Sequence, residues 1–519
     1  MIPHAPWRGC AGIVANNASL ATRKIEKKTG LRKLTGRLLR ISLWLFTLGV
    51  AVVVTIWVIR AFDARNLPDL QVWHTYETEH EFRARDYPKG ISLGEYRELE
   101  DRLFAEIDEH VYGAVDSRNS ERFNRYNKQG EAYAGDEGMA WNRTFVIDTP
   151  NPVGGILLLH GASDSPYSVK SLAETFADHG LYVAVFRTPG HGTIPTGLRD
   201  VELEDWRAIA RAGMQHVVEK VGPELPVYFG GYSAGAALAV DYALDAALDD
   251  SLRMPDRLFL YSPSIAVTPF ARFSDWDLAL ASVPYFRKFA WLQVETEYDP
   301  YKYNSFPKNG GYLAFQLSEN IVHKMAILNS AENAPLLPPT IAFQSLVDST
   351  VRTDAVIYNV FDQLPNNGHE LVLFDINRSE VIQHFIIDSE RDLLEELEHK
   401  APAKYLYTLV TNRDEQSTHI QSRTRVAGAM GPVIINLPYE WPDGVYSLSH
   451  VAIPFSPTDA KYGAYGEDGL PSTSSFNNMA PRGEQAILAI PLGRLMRLRY
   501  NPFFGYVENR TLEFCDVCL

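Results

Sequence analysis

The chain has 519 residues and a mass of 58.3 kDa, the size of one large domain with insertions or of two domains. Apolar residues make up 46% and charged residues 22%, which excludes a disordered chain, a collagen-like fibre and a polytopic membrane protein. The net charge is −15, and because residues 1–40 hold nine basic residues and one acid, the rest of the chain carries −23. An acidic body argues against nucleic-acid binding.

The first predicted element is a membrane anchor. Residues 41–59 are an uncharged apolar run, about 28 Å long as a helix, which is close to the thickness of a bilayer's hydrocarbon core. Basic residues crowd the segment before it, and the residues after Arg60 match a signal-peptidase site poorly. We therefore predict a basic cytoplasmic tail at 1–40 and a single-pass signal anchor at 41–60, with later residues exported. A buried core helix is the alternative.

Residues 61–140 are polar and mixed in composition. They are predicted to form a neck and N-terminal extension with one helix at Leu93–Val111 and a loop rich in glycine and asparagine around 124–138.

From Trp141 onward, short apolar runs alternate with amphipathic stretches, and this alternation predicts an α/β fold with a mostly parallel sheet and crossover helices. The predicted strands are Thr144–Asp148, Gly155–His160, Tyr182–Arg187, Val227–Tyr232, Arg257–Ser262, Thr340–Leu346 and Glu370–Ile376. The predicted helices are Pro166–His179, Glu204–Val221, Ala234–Asp249 and Thr353–Gln363.

Two segments interrupt this alternation. An aromatic-rich insertion at about 266–335 is predicted to form a cap over the carboxyl edge of the sheet. A second insertion is expected at about 385–445, with a strand pair at 405–413 and 419–428. The last segment, 492–514, is expected to contain a helix that packs on the domain.

The sharpest chemical signal is Gly231-Tyr232-Ser233-Ala234-Gly235, which follows an apolar strand and begins a helix of small residues. Glycines on both sides of the serine permit the strained strand-to-helix turn of a nucleophile elbow, which exposes the hydroxyl of Ser233 above the sheet. The helix N-terminus behind the serine favours developing negative charge. The sequence therefore predicts Ser233 as a nucleophile.

A second signal, His160-Gly161-Ala162-Ser163-Asp164, comes directly after another apolar strand. A loop here directs the N–H of Ala162 to the same point as the N–H of Ala234, and two convergent N–H groups form an oxyanion hole. His160 is predicted to order this loop through hydrogen bonds, without a part in proton transfer.

Taken together, the segments at 157–168, 187–193 and 230–235 resemble the α/β-hydrolase superfamily, and most closely its bacterial esterase and monoacylglycerol-lipase-like branch. The resemblance covers roughly residues 140–380 and implies an α/β-hydrolase domain over 141–519. It also implies a structural turn at His191. Together with the anchor and the basic residues before it, a bacterial origin would place the protein in the inner membrane with its hydrolase domain in the periplasm.

The family's chain order of nucleophile, acid and base implies an acid after the next-to-last strand. Asp348 occupies that place in a D-x-x-V pattern, where it would orient a histidine, and Asp354 in the following helix is the weaker candidate. The base is open between His450, at the end of a strand-like run before a proline-containing loop, and His384, with His419 and His369 as further candidates. We favour His450.

These residues predict a membrane-anchored serine hydrolase that cleaves carboxylic esters through an acyl-enzyme. A peptidase, thioesterase or acyltransferase with the same triad, acting on envelope components, is one alternative, and a non-catalytic binding protein with this fold is another. No metal or organic cofactor is implied, since no cluster has metal-ligand spacing and the glycine-rich loops lack a phosphate-binding or dinucleotide fingerprint. The expected partners are a small-molecule or lipid ester and the membrane, with no nucleic acid.

Three cysteines are too few for disulfide bonds to stabilise a chain of this length. Cys10 would remain on the reducing cytoplasmic side, whereas Cys515 and Cys518 would be exported. A small local disulfide or two unpaired thiols are the interpretations left open for this pair, because a terminal tail gives no support to a redox role.

Overall fold

A computed structural model of the chain describes residues 12–115, 123–266, 284–331, 336–379, 393, 395–397, 404–426, 431–465 and 490–518. The chain divides into two compact units after Leu67. The first unit contains one long helix, α1 (Gly12–Arg65). Its segment Gly36–Ile59 has a mean hydropathy of 2.3 and is long and apolar enough to cross a membrane, a property that signal sequences share.

The second unit is built around a sheet that has ten strands among the described residues, in the order β1-β3-β2-β4-β5-β8-β9-β10-β11-β12. The run from β3 to β10 is parallel, whereas β1 and the last two strands pair antiparallel with their neighbours. This topology confirms the predicted α/β fold. A separate antiparallel pair is formed by β6 and β7. The strands of the unit are β1 (Phe145–Ile147), β2 (Gly154–Leu159), β3 (Leu181–Phe186), β4 (Val227–Tyr232), β5 (Arg257–Tyr261), β6 (Trp291–Gln293), β7 (Phe306–Pro307), β8 (Thr340–Ser345), β9 (His369–Phe374), β10 (Tyr405–Asn412), β11 (His419–Arg425) and β12 (Val433–Glu440).

Helices cover both faces of the sheet, so strands such as β2 and β3 are buried along their whole length. Alternate side chains of β2 enter two different cores: Leu157 packs with α7, α8 and α9, and Ile156 packs with α5 and α12. The helices of the second unit are α2 (Val72–Thr75), α3 (Leu93–His110), α4 (Gly135–Met139), α5 (Lys170–Asp178), α6 (Gly197–Asp200), α7 (Leu203–Val221), α8 (Ala234–Leu248), α9 (Lys308–Ser330), α10 (Thr353–Asn359), α11 (Leu492–Leu495) and α12 (Phe504–Phe514).

The predicted strands and helices between Thr144 and Ile376 lie within a residue or two of the observed ones, apart from two helices with mixed geometry. The stretch from Pro166 begins as a 3-10 turn before α5, and α10 ends at Asn359 before a short 3-10 turn at Phe361–Gln363. The predicted strand pair at 405–413 and 419–428 is present as β10 and β11. It extends the central sheet beyond β9, a placement that the sequence did not indicate.

The C-terminal segment contributes two short helices, α11 and α12, instead of one continuous helix. Pro502, two residues before α12, prevents a helix from running through this position, since proline lacks the N–H that a continuous helix needs. α12 packs in the same core as α5, and the adjoining Cys515 and Cys518 are joined by a disulfide.

The segment before β1 is tied to the sheet by a buried ion cluster. Arg187, directly after β3, donates hydrogen bonds to Glu100 of α3 at 2.9 Å and to both oxygens of Glu81 at 3.0 and 3.1 Å. Each of the three side chains is at most 2% exposed. Thr144 donates a further hydrogen bond to Glu100, at 2.9 Å. Residues of the predicted neck therefore share the core of the second unit.

Replacing Arg187 with methionine is expected to lower the free energy of unfolding by about 3–5 kcal/mol, because two buried carboxylates lose their cation. Chemical denaturation of the variant measures this loss. Arg211→Met is the matched control, since Arg211 pairs with Glu204 at the surface and its removal should cost at most about 1 kcal/mol. Equal losses in the two variants would contradict a structural role for the buried cluster.

Candidate active site

Ser233 sits on a strained turn between β4 and α8. Its backbone has φ 54° and ψ −114°, a left-handed conformation that costs a residue with a side chain free energy and is often found at functional sites. The N–H of Ser233 donates to the carbonyl of Tyr261 at 2.9 Å, and its own carbonyl accepts from the N–H of Ala237 at 3.1 Å. The neighbouring strand and the first turn of the helix thus hold the elbow in place.

The two glycines of the pentapeptide are required by close backbone approaches. A Cβ on Gly235 would lie 2.1 Å from the carbonyl oxygen of Leu159, and a Cβ on Gly231 would lie 2.4 Å from the carbonyl carbon of Gly235. Neither contact can be relieved by a side-chain rotation because both partners are backbone atoms. Glycine is therefore needed to pack the elbow against β2.

Asp348 and His450 meet at the carboxyl edge of the sheet, although 102 residues separate them in the chain. The Nδ1 atom of His450 lies 2.7 Å from Oδ2 of Asp348, and both side chains are almost completely buried. Asp348 also accepts hydrogen bonds from the N–H groups of Thr350 at 2.8 Å and Val351 at 3.1 Å, and from the amide of Gln344 at 2.9 Å.

The surroundings of Asp348 favour its charged form. Burial alone would raise the pKa of this carboxyl group, but the charge of the His450 ring and the hydrogen bonds from His450, Val351 and Thr350 hold the pKa below its ordinary value. A carboxylate at this position accepts a hydrogen bond from Nδ1–H and leaves Nε2 of His450 as the proton acceptor.

Ser233, His450 and Ala162 all line one pocket, which has a volume of about 320 Å³. Its apolar wall comes from the segment around 292–314 and from residues next to Asp348 and His450: Leu292, Phe306, Ala314, Val351, Val451 and Phe455. A larger cavity, of about 650 Å³, is lined by residues 83–90 and by polar side chains of α7, away from the three predicted site residues. We therefore place the candidate site in the smaller pocket.

The predicted oxyanion donors occupy suitable elements. Ala234 is the first residue of α8, so its N–H belongs to the helix's first turn and has no partner within the helix. Ala162 lies in the loop after β2 and faces the pocket. The convergence of these two N–H groups on one oxygen remains a prediction.

His160 has the hydrogen bonds expected of a residue that orders a loop. Its Nδ1 lies 2.9 Å from the carbonyl oxygen of Gly161, and its Nε2 accepts from the N–H of Thr188 at 3.0 Å. Burial first, and then the neighbouring His191 ring, hold the pKa of His160 well below its ordinary value. Burial likewise lowers the pKa of His191, to about 3, and Nδ1 of His191 contacts the carbonyl oxygen of Pro189 at 3.0 Å. The hydrogen bond from Thr188 to His160 and the contact between the two histidine rings, whose centroids lie 4.9 Å apart, join the loop after β2 to the loop after β3.

The other candidates for acid and base lie elsewhere or outside the described residues. His419 is exposed at the start of β11, 3.7 Å from Glu440, and His369 is buried at the start of β9. Asp354 forms an ion pair with Arg352. His384 lies outside the described residues, as do 267–283 and 332–335 of the predicted cap.

The charged residues of the pocket are not among those predicted from the sequence. Lys302 and Asp299 come from the predicted cap, Asp164 comes from the loop after β2, and the C-terminal segment contributes three arginines: Arg494, Arg497 and Arg499. The signal that could have revealed the last group is a run of three arginines in six residues within an otherwise acidic body. Over the described part of the chain, no group of three or more His, Cys, Asp or Glu side chains could hold a metal ion.

A compact loop delivers Asp299 and Lys302 to the pocket. The buried carboxyl group of Glu297 accepts hydrogen bonds from the N–H groups of Asn304 at 3.0 Å and Ser305 at 2.7 Å. Burial raises the pKa of Glu297 to about 7, although these hydrogen bonds and the charge of Arg125 favour the charged form. The hydrogen bonds that close this loop are thus accepted by a carboxyl group whose charge depends on pH near neutrality.

This pKa predicts a pH-dependent stability. The ordinary pKa of 4.5 applies in the unfolded chain, so the folded state binds the extra proton between about pH 4.5 and pH 7. The stabilising contribution of Glu297 is therefore complete below this window and is lost as the pH rises through 7. The free energy of unfolding of the wild type, minus that of Glu297→Gln, should fall by about 2–3 kcal/mol between about pH 5 and about pH 8.

Denaturant titrations at the two pH values measure that difference. Glu319→Gln is the control, since Glu319 is an exposed residue of α9. A difference that stays constant or grows with pH would contradict the proton uptake by Glu297.

The described domain is similar in sequence to known proteins. Residues 156–376 match the model of the "Alpha/beta hydrolase family". A thermostable monoacylglycerol lipase of Bacillus sp. (strain H-257) is 30% identical over 86 residues, which are 17% of this chain and 33% of the relative. The match thus spans about a third of the length of that relative.

Two solved structures are among those similar to this chain. A metagenome-derived lipolytic enzyme is 19% identical with a TM-score of 0.36, and the alignment covers 49% of this chain and 98% of that one. A monoacylglycerol lipase of Paleococcus ferrophilus is 16% identical with a TM-score of 0.33, with coverage of 49% and 97%. With the family match over residues 156–376 and the sheet topology described above, the chain has the α/β-hydrolase fold.

Proposed function

We propose that this protein is a serine hydrolase that cleaves carboxylic esters, with Ser233 as nucleophile, His450 as general base and Asp348 as the carboxylate that orients the histidine. The observation that carries the proposal is the contact of 2.7 Å between Nδ1 of His450 and Asp348, in a pocket that Ser233 also lines. The strained backbone at Ser233 supports it further.

In the proposed reaction, Nε2 of His450 takes the proton of the Ser233 hydroxyl while Oγ attacks the carbonyl carbon of the ester. The N–H groups of Ala162 and Ala234 donate to the oxygen that becomes negatively charged. The tetrahedral adduct then expels the alcohol, which receives its proton from His450. Water repeats the same steps on the acyl-enzyme and releases the carboxylic acid. Asp348 holds the ring in one tautomer and stabilises its charged form.

The substrate class is proposed to be lipid-like esters. The pocket wall contains apolar side chains such as Leu292, Phe306 and Val451, which suit an acyl chain. The name of the Bacillus relative, a monoacylglycerol lipase, agrees with this proposal.

Hydrolysis of a p-nitrophenyl ester and of a monoacylglycerol by purified protein tests the proposal. Ser233→Ala should lose the activity, whereas Ser251→Ala, a change at an exposed serine after α8, should retain it. Activity that survives Ser233→Ala would refute the assigned nucleophile.

We further propose that the helix segment Gly36–Ile59 anchors the protein in a bacterial inner membrane, with the hydrolase domain on the periplasmic side. The basic residues that precede the segment support this orientation. Protease treatment of spheroplasts is the test. Degradation of the hydrolase domain without lysis is expected, and a domain that becomes accessible only after lysis would reverse the orientation. Recovery of the full chain in the soluble fraction would exclude the anchor.

A further inference from the structure

The pocket that contains Ser233 carries more positive than negative charge. Its charged lining residues, other than His450, are four cations and two carboxylates: Lys302, Arg494, Arg497, Arg499, Asp164 and Asp299. The chain as a whole has a net charge of −15, so this cluster differs in sign from the rest of the molecule. A local field of this kind selects ligands by charge.

Two of the cations are neutralised within the protein. The Nζ atom of Lys302 lies 3.1 Å from Oδ1 of Asp164, whose side chain is buried. Arg499 lies 3.0 Å from Asp299 and donates a second hydrogen bond to the hydroxyl of Tyr298 at 3.1 Å. These two pairs link the cap and the C-terminal segment to the pocket and leave little charge for a ligand.

Arg497 is in a different situation. Its guanidinium donates to the hydroxyl of Thr350 at 2.8 Å, which is a neutral acceptor. Among the described residues, no carboxylate lies within 4.0 Å of it, and the neighbouring Arg494 approaches Glu295 only to 3.7 Å. Within the described part of the chain, the positive charge of Arg497 is therefore not neutralised by a carboxylate.

The same arginine is close to the proposed catalytic groups. Thr350, its hydrogen-bond partner, also donates its N–H to Asp348. Arg497 also lines the same pocket as Ser233 and His450. A ligand whose ester lies at Ser233 is thus near this charge.

We infer that the esters this site prefers carry an anionic group, a phosphate or a carboxylate, and that Arg497, assisted by Arg494, binds it. The inference rests on the proposed ester hydrolysis and specifies its substrate class. A guanidinium presents a planar pair of N–H donors that matches both kinds of oxyanion. The apolar wall would hold the acyl chain while the arginines bind the charge.

Two pairs of substrates separate the possible sources of the anion. For a charge on the alcohol, lysophosphatidic acid with an oleoyl chain is compared with monooleoylglycerol. For a charge on the acyl group, the p-nitrophenyl monoester of glutarate is compared with p-nitrophenyl pentanoate. Each pair keeps the ester and the acyl chain length, and one member carries an added anionic group. After subtraction of the spontaneous rate, the ratio of the two kcat/KM values reports the preference for that group, and its change in the arginine variants reports charge selection.

We expect the wild type to prefer the anionic member of at least one pair, and Arg497→Gln to lower that ratio by about tenfold or more. Arg497→Lys should restore part of the ratio because it keeps the charge. Arg352→Gln is the matched control, since Arg352 is exposed near the same loop and pairs with Asp354. A wild type without preference in either pair, or an Arg497→Gln variant with the wild-type ratio, would overturn the inference.

Binding to Ser233→Ala separates this inference from the proposed reaction. Calorimetric titration of that variant with lysophosphatidic acid and with the glutarate monoester requires no turnover. The Ser233→Ala variant should bind the anionic member of a pair more tightly than the neutral member, and the Ser233→Ala, Arg497→Gln double variant should not. This result would support the anion site even if esters are not cleaved. If neutral esters are cleaved but no such difference in binding is measured, the proposed ester hydrolysis stands and the anion site is rejected.

Discussion

Replacing His450 with alanine is expected to lower kcat for ester hydrolysis by roughly 10⁶-fold, close to the effect of removing the nucleophile itself. Without an imidazole at this position, nothing accepts the proton of Ser233, and no acid protonates the departing alcohol. Steady-state rates with a p-nitrophenyl ester and purified variants measure this loss. Circular dichroism shows whether the variant has kept its fold.

The control for this variant is His419→Ala, which removes an exposed histidine of β11 that pairs with Glu440 near the far edge of the sheet. Its kcat should equal that of the wild type. A folded His450→Ala protein with a rate within tenfold of the wild type would transfer the role of the base to another histidine, and His384→Ala would then be the next variant to measure.

Asp348→Asn is expected to lower kcat by about 10⁴-fold while leaving the fold intact. The asparagine oxygen can still accept the N–H groups of Thr350 and Val351, so the turn after β8 survives. The amide no longer provides a charge beside His450, and the ring then loses both its preferred tautomer and the stabilisation of its charged form.

The matched control is Asp354→Asn, a change six residues away at an ion pair with Arg352. Its activity should remain close to that of the wild type. A loss in Asp354→Asn as large as that in Asp348→Asn would mean that negative charge near this loop matters in general, and the specific role of Asp348 would be refuted.

Local patterns in the sequence were sufficient for the sheet from β1 to β9 and for the elbow at Ser233. Several strands of that run, such as β2, β3, β4 and β8, are short apolar segments followed by a helix. The glycines at 231 and 235 indicate a close backbone approach within the same five residues. Such signals involve residues that are neighbours in the chain.

The rest depends on contacts between distant parts of the chain. The position of His450 beside Asp348 follows from the packing of a loop after β12, and no periodicity in the sequence reports that packing. Likewise, the sequence indicates β10 and β11 only as an isolated strand pair, and the parallel pairing of β10 with β9 is visible only in the structure. The cationic side of the pocket combines the cap with the C-terminal segment, and in the Arg499–Asp299 pair the two residues are 200 positions apart in the chain.

The most direct test of the proposed chemistry is mass-spectrometric mapping of the full-length protein after reaction with a fluorophosphonate probe. Our account predicts a single covalent adduct on the peptide that contains Ser233, absent from Ser233→Ala and strongly slowed in His450→Ala but not in His419→Ala. A folded wild type that remains unmodified, or an adduct on a different serine, would contradict the assignment of Ser233, His450 and Asp348 as the catalytic residues.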